Sequence, residues 1–212
     1  MLFRSSSGNI DLSKYVNKKR LDKLPKDIVG KKYREMIKEV HETLANLKQH
    51  FGGYGGYGFE LSGLVWFQGF NDIIKGPFIE QYEENLTNLI KDVREDLGVS
   101  DLPVVIGELG MSGPEPDPRY AKKHFRFRGI QEAVAKKPEF AGTVKFVKTS
   151  PYVVQDGPGF DGGYHYRGRA DTFFKIGEAF GKAALELIKE TPQNHAKQVQ
   201  EAYKNVKERY NF

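Results

Sequence analysis

Leu64-Val65-Trp66-Phe67-Gln68-Gly69-Phe70-Asn71-Asp72 is the stretch whose reading decides the fold. Large apolar residues run up to Phe67 and then give way to glycine, asparagine and aspartate. A short apolar run bounded by polar turn residues predicts a strand buried on both faces. Behind it, Ile79, Tyr82, Leu86, Leu89, Val93 and Leu97 recur at spacings of three and four, which predicts a helix over Phe78 to Leu97 closed by Gly98. A strand followed at once by a helix is the unit of an open α/β sheet, where ligands bind at the carboxyl ends of the strands. Gly69, Asn71 and Asp72 then stand at the end of a central strand, where polar side chains do chemistry.

The same unit recurs downstream. Leu102-Pro103-Val104-Val105-Ile106-Gly107-Glu108-Leu109-Gly110 reads as a second buried strand that ends in a carboxylate between glycines. Asp117-Pro118 supplies a helix cap and first-turn residue, and Tyr120, Phe127, Ile130 and Val134 form the stripe of the next helix. Gly142 to Ser150 alternates as a third strand, at an edge, until Pro151 stops it. The glycine- and aromatic-rich loop Gln155 to Gly168 carries Asp161-Gly162-Gly163-Tyr164-His165-Tyr166. After it, Phe173, Ile176, Phe180, Ala184 and Leu187 mark a helix whose Gly177 and Gly181 let it approach a sheet closely.

Upstream, residues 1 to 30 read as loop, followed by a helix from Lys31 with Tyr33, Ile37, Val40, Leu44 and Leu47 on one stripe. The glycines of Phe51 to Gly58 end it. Residues 191 to 212 read as a polar helical tail with a thin stripe, Ala196, Val199, Tyr203, Val206 and Tyr210. The domain is thus expected over residues 1 to 190, with the tail beyond it. Alternating strands and helices predict a parallel sheet in three layers. Three strands are few for so many helices, since a strand needs neighbours to satisfy its backbone.

Composition narrows the function. With 212 residues, 39% hydrophobic and 29% charged, the chain holds a substantial core and is too apolar to be disordered. No apolar run approaches the roughly 20 residues that span a bilayer, and Met1-Leu2-Phe3-Arg4-Ser5 lacks the apolar centre of a signal peptide. No membrane partner is expected, and the compartment stays open. The count of 0 cysteines removes disulfides, thiolate nucleophiles and cysteine-based zinc sites. A net charge of +5 invites a nucleic-acid reading, but lysines are interspersed with nearly as many carboxylates. The densest basic run, Lys122, Lys123, His124, Arg126 and Arg128, reads as a solvated helix face, so no nucleic-acid partner is expected.

Gly69-Phe70-Asn71-Asp72 resembles the G-x-N-D block of the SGNH hydrolases. Trp66-Phe67-Gln68-Gly69 resembles the W-x-Q-G strand end of their carbohydrate-esterase branch, the sialate O-acetylesterase-like proteins. Gly163-Tyr164-His165-Tyr166-Arg167-Gly168, with Ala170 to Gly181 after it, is similar to that branch's histidine loop and closing helix. The resemblance implies a three-layer α/β/α flavodoxin-like fold, a family often secreted, and acyl transfer without metal or other cofactor. In such chemistry a serine attacks an acetyl ester on a sugar, a histidine takes its proton and hydrogen-bond donors hold the oxyanion. Carried over, His165 is the general base, and Asn71 with the backbone near Gly69 donates to the oxyanion. Gln68 orients these groups, and Trp66, Tyr164 and Tyr166 offer faces for sugar stacking.

Three departures qualify that picture. Phe70 stands where the branch often has glutamate, and Asp161 precedes His165 by four positions rather than three. The acid that orients the histidine is therefore Asp161, Asp72 or Glu108. No strand ends in the family's serine turn, and Ser5-Ser6-Ser7-Gly8-Asn9 resembles a loop placed after the second strand. The expectation is an amino-terminally incomplete domain whose nucleophile comes from an upstream segment, a missing half or a second copy of the chain. Its partner would be an acetylated carbohydrate. The alternatives are an inactive module that binds carbohydrate or a protein through the same crevice, and a basic surface-binding protein.

Overall fold

The computed structural model describes residues 30–74, 76–154, 164–188 and 194–212. Three parallel strands, β1 (Leu64–Trp66), β2 (Val104–Gly107) and β3 (Val144–Val147), form a sheet in the order β1-β2-β3. Val65 faces Val105, and Val105 faces Lys145. The helices are α1 (Lys31–Ala45), α2 (Leu47–His50), α3 (Phe70–Ile74), α4 (Gly76–Leu97), α5 (Pro118–Ala135), α6 (Ala170–Leu185) and α7 (Ala196–Tyr210). The chain is an α/β protein built on a parallel sheet, as expected.

The chain divides into two compact units. One contains the sheet, α3, the first turns of α4, α5 and α6. The other contains α1, α2, the rest of α4 and α7.

In the sheet unit the centre is β2, buried at every position, and not β1. β1 is three residues long and Val65 remains 48% exposed, because a strand at a sheet edge has a neighbour on one side only. β3 takes the other edge, where the sequence placed it. Helices α5 and α6 both touch β2 and β3. One face of two strands, with about 4.8 Å between strands, has no room for two helices about 10 Å across, so the pair sandwiches the sheet. Asp117 caps α5 by accepting the Arg119 amide at 2.9 Å, and Pro118 fills the first turn.

Two helix stripes depart from their apolar patterns. The buried face of α5 is Phe127, Arg128, Gln131 and Val134, while Tyr120 is exposed. The buried residues of α6 are Thr172, Ile176 and Ala183, and Phe173 is turned out. Nor do Gly177 and Gly181 mediate a close approach, since a methyl group at either would meet open space. The tight contact comes from the sheet side. A methyl on Gly107 would lie 2.5 Å from the Phe180 ring and 2.6 Å from Phe67.

In the helical unit, α1 buries Tyr33, Ile37 and His41. His41 takes the place on the stripe that an apolar residue would hold, its Nε2 donating to the Asp96 carbonyl at 2.7 Å and its ring stacked on Tyr203 at 4.7 Å. Asp96 is the hub. Its carboxylate accepts from Tyr33 at 2.6 Å, Tyr210 at 2.8 Å and Arg209 at 2.7 Å. These bonds fasten α7, whose Val199, Ala202 and Val206 are buried. Gly98 ends α4 in the left-handed region, as its sequence position predicts. Among the described residues no helix is long and apolar enough to cross a membrane.

Candidate active site

The end of β2 is where the polar groups of the sheet unit converge. Glu108 is 4% exposed, and one carboxylate oxygen accepts the amides of Thr149 and Ser150, each at 2.8 Å. Its other oxygen lies 3.7 Å from the Arg128 guanidinium. Arg128 in turn donates to the carbonyls of Leu109 at 3.1 Å and Gly113 at 2.9 Å. Gln131 accepts the Leu109 amide at 2.8 Å and donates to the Gly107 carbonyl at 3.1 Å. These bonds satisfy backbone groups that the sheet leaves behind where its ladder stops. The loop leaving β2 is thereby rigid.

Tyr166 belongs to the same network. Its hydroxyl accepts the Gly110 amide at 3.2 Å and lies 3.1 Å from the Thr149 hydroxyl, and burial pushes its pKa up. The ring is 5% exposed and packs between Phe67 and Phe173. That contact is with protein, so Tyr166 offers no open face for a sugar. His165, Tyr166 and Arg167 all have positive φ, at 46°, 53° and 58°, and Gly168 follows at 67°. A left-handed turn costs non-glycine residues about 1–2 kcal/mol each. Such strain persists only where surrounding structure over-determines it, and it concentrates at functional sites. Here the buried Tyr166 is the anchor, and it leaves His165 exposed at the surface.

At the end of β1 the chain turns directly into α3. The Gly69 carbonyl accepts the amides of Asp72 and Ile73, both at 3.0 Å. Gly69 has φ 153°, and a side chain there would run into the Phe127 ring, 2.5 Å from its tip. Asn71 and Asp72 thus occupy the first turn of a helix rather than a loop. Asn71 is exposed, whereas Asp72 is buried and accepts from Gln68 Nε2 at 2.6 Å. Trp66 donates its indole N–H to the Tyr82 hydroxyl at 3.3 Å.

A cavity of about 710 Å³ lies over these ends. Its walls come from the segments that follow all three strands: Phe70, Ile73 and Ile74 after β1, Met111 to His124 after β2, and Val153 after β3. Arg167, two residues beyond His165, completes it. The hollow therefore sits at the carboxyl edge of the sheet, where open α/β sheets bind ligands. Inside it the Ser112 hydroxyl lies 3.2 Å from His124 Nδ1 and 3.3 Å from Nε2. Burial, helped by the charges of Arg128 and Lys123, lowers the pKa of His124 and keeps its imidazole neutral at pH 7. Among the described residues no group of three histidine or carboxylate side chains is placed to hold a metal.

The sequence-predicted residues divide accordingly. Gly69, Asn71, Gln68, Asp72 and Trp66 share the end of β1; Phe70, next to Asn71, and Arg167, two residues past His165, line the cavity, while Asn71 and His165 are not among its lining residues. Glu108 and Tyr166 are committed to the network beneath it. Asp161 and the Tyr164 side chain lie outside the described residues. The basic run is not a uniform solvated face. Arg128 is buried, Lys123 and His124 line the cavity, and Arg126 pairs with Glu80 at 2.6 Å. Sequence reasoning missed Ser112, His124, Arg128 and Gln131. The signal available was a serine between Gly110 and Gly113 directly after a buried strand.

No solved structure matches the chain. A probable carbohydrate esterase of Arabidopsis thaliana is 30% identical over 73 residues, which is 34% of this chain and 24% of that protein. The match spans about a quarter of the relative's length. A family model described as carbohydrate esterase, sialic acid-specific acetylesterase, matches residues 6–158. That segment takes in all three strands, the ends of β1 and β2 with their polar residues, and most of the cavity wall, and stops short of His165. With well over half of its length covered, the chain belongs to the carbohydrate esterase family of sialic acid-specific acetylesterases.

Proposed function

We propose that this chain acts in the hydrolysis of acetyl esters carried by carbohydrates. The observation that carries the reading is the cavity at the carboxyl edge of the sheet, bordered by the turn after Gly69 and by the left-handed turn that bears His165. In this reading His165 is the general base, and Asn71 with the backbone near Gly69 steadies the oxyanion. One such donor is typically worth about 10²–10³ in rate. Phe70 and Tyr120, both on the cavity wall and both exposed, offer apolar faces to a sugar ring. Lys123 and Arg167 bring positive charge to the lining and Glu115 negative charge, while Asp117 in the same lining is paired with Arg119 at 2.7 Å.

The test is acetate release from O-acetylated sugars, acidic and neutral, by wild-type chain and by His165→Ala. Release from at least one sugar, reduced about 100-fold or more by the substitution, is expected for the loss of a general base. Acetate release unchanged by His165→Ala would remove that residue from its role. Sugar binding without acetate release would make the chain a binding module.

A further inference from the structure

Helix α6 is apolar on two opposite sides. Its buried residues, Thr172, Ile176 and Ala183, lie along one line, and the helix packs on β2 and β3. At about 3.6 residues per turn, Ala170, Phe174, Gly177, Gly181 and Leu185 fall on the side opposite that line. All five are exposed, Phe174 at 75% and Leu185 at 74%. A surface helix that buries one face ordinarily sets charged and polar residues on the other. Here every charged side chain of α6 keeps to one flank of the outward side, where Glu178 and Lys182 pair at 2.7 Å. A methyl group on Gly177 or Gly181 would meet nothing within 4 Å, so the two glycines leave shallow seats between the Phe174 ring and the Leu185 side chain.

The order large, small, small, large along that side reads the same in both directions. An antiparallel copy of the helix laid on it sets each Phe174 beside the other chain's Leu185, and each Gly177 beside the other chain's Gly181. A twofold contact requires this self-complementarity, because residue i meets j and j meets i. We propose that the outward side of α6 is an interface between two copies of this chain, paired antiparallel about a point between Gly177 and Gly181. Glycine at the crossing lets the two backbones come close. On the charged flank the same symmetry sets Glu178 against Lys182 of the second copy, twice over. A helix of 16 residues is only about 24 Å long, and one such pair buries less than the roughly 1,000 Å² of a permanent interface. The dimer is therefore reversible, forming at micromolar concentration.

Sedimentation velocity of the full chain, from low micromolar to submillimolar concentration, is expected to show single copies giving way to a species of twice the mass. Gly181→Leu fills a seat on an open side of the helix and replaces glycine by a better helix former, so the fold is spared. It is expected to weaken association about tenfold or more by blocking the close approach. Glu178→Lys sets lysine against lysine across the twofold and should weaken it too, and adding Lys182→Glu should restore it. Orientation is read with thiols, since the chain has 0 cysteines. A mildly oxidised mixture of Phe174→Cys and Leu185→Cys chains is expected to link, because unlike positions meet. Either variant alone should not, as like positions lie about 16 Å apart along the helix axes, beyond the span of a disulfide.

A single mass at every concentration would overturn the proposal, and leave that side of α6 to some other occupant. A dimer indifferent to Gly181→Leu, a charge reversal that Lys182→Glu fails to repair, or a cysteine variant that links to itself as fast as the mixture links would overturn it as well.

Discussion

The Tyr166 hydroxyl accepts the amide hydrogen of Gly110 at 3.2 Å, and this bond joins the turn that bears His165 to the loop that leaves the central strand. Three left-handed residues in succession need such an anchor, and the pairing explains how a strained turn holds its place. Tyr166→Phe leaves the buried Gly110 N–H without its acceptor while keeping the ring packing on Phe67 and Phe173. A loss of about 1–3 kcal/mol in unfolding free energy is expected. Acetyl-ester hydrolysis should fall further than stability alone accounts for, measured at a temperature where the variant is fully folded. A variant as active and as stable as wild type would detach the turn from the strand end.

Close contact between α6 and the sheet rests on the absence of a side chain at Gly107, not at Gly177. Gly107→Ala would press a methyl onto Phe180 and Phe67 at 2.5 and 2.6 Å, and overpacking of that kind costs about 1–3 kcal/mol. Gly177→Ala meets nothing within 4 Å in a helix interior, so it should stabilise by about 0.5–1 kcal/mol. Urea unfolding of the two variants should therefore move the midpoint in opposite directions. The same sign for both would refute the packing.

How much of this was legible from the chain follows from where its polar residues point. The strands, the helix at Asp117-Pro118 and the turn at Gly98 announce themselves by apolar runs and by residues with special backbone angles. Edge position does not, since Val65 at 48% exposure and the buried Val105 belong to equally apolar runs. His41, Arg128 and Gln131 escaped because hydrophobic periodicity treats every polar residue as outward-facing. Each is buried to satisfy a carbonyl or amide that belongs to another element, a partner that spacing along the chain cannot reveal. The pairing of Ser112 with His124 was hidden for a related reason, as α5 returns twelve residues later across a loop.

Asp96 receives two tyrosine hydroxyls and one guanidinium while 1% exposed, and α7 is held in its unit through those bonds. Asp96→Asn preserves the shape but removes the charge opposite Arg209 and substitutes a donor where an acceptor was needed. A destabilisation of about 2–4 kcal/mol is expected from the broken network. Hydrogen exchange should show α7 amides losing protection before those of β2. Uniform protection loss, or none, would deny Asp96 that role.

His41 gives the helical unit a dependence on pH. Its Nε2 donates to the Asp96 carbonyl, so the neutral ring carries its proton there and leaves Nδ1 buried with no partner among the described residues. Protonation would put charge on that dry nitrogen, and burial accordingly holds the pKa below the ordinary 6.5, against the opposing pull of Asp96. Because the folded value is the lower one, the unfolded chain binds more protons near pH 6, so stability falls as the medium is acidified. The contribution is intact above 6.5 and is lost as pH drops through the lowered folded value. His41→Gln keeps a donor for the Asp96 carbonyl and cannot titrate. Unfolding free energies measured from pH 7.5 to 5 should decline less steeply in this variant than in wild type. The slope that remains includes His124, whose pKa is lowered in the other unit by burial, Arg128 and Lys123, and whose cavity also holds Glu115, Asp117 and Arg167. Adding His124→Gln should flatten the decline further, and identical slopes in wild type and His41→Gln would show that the buried ring accepts its second proton at no cost.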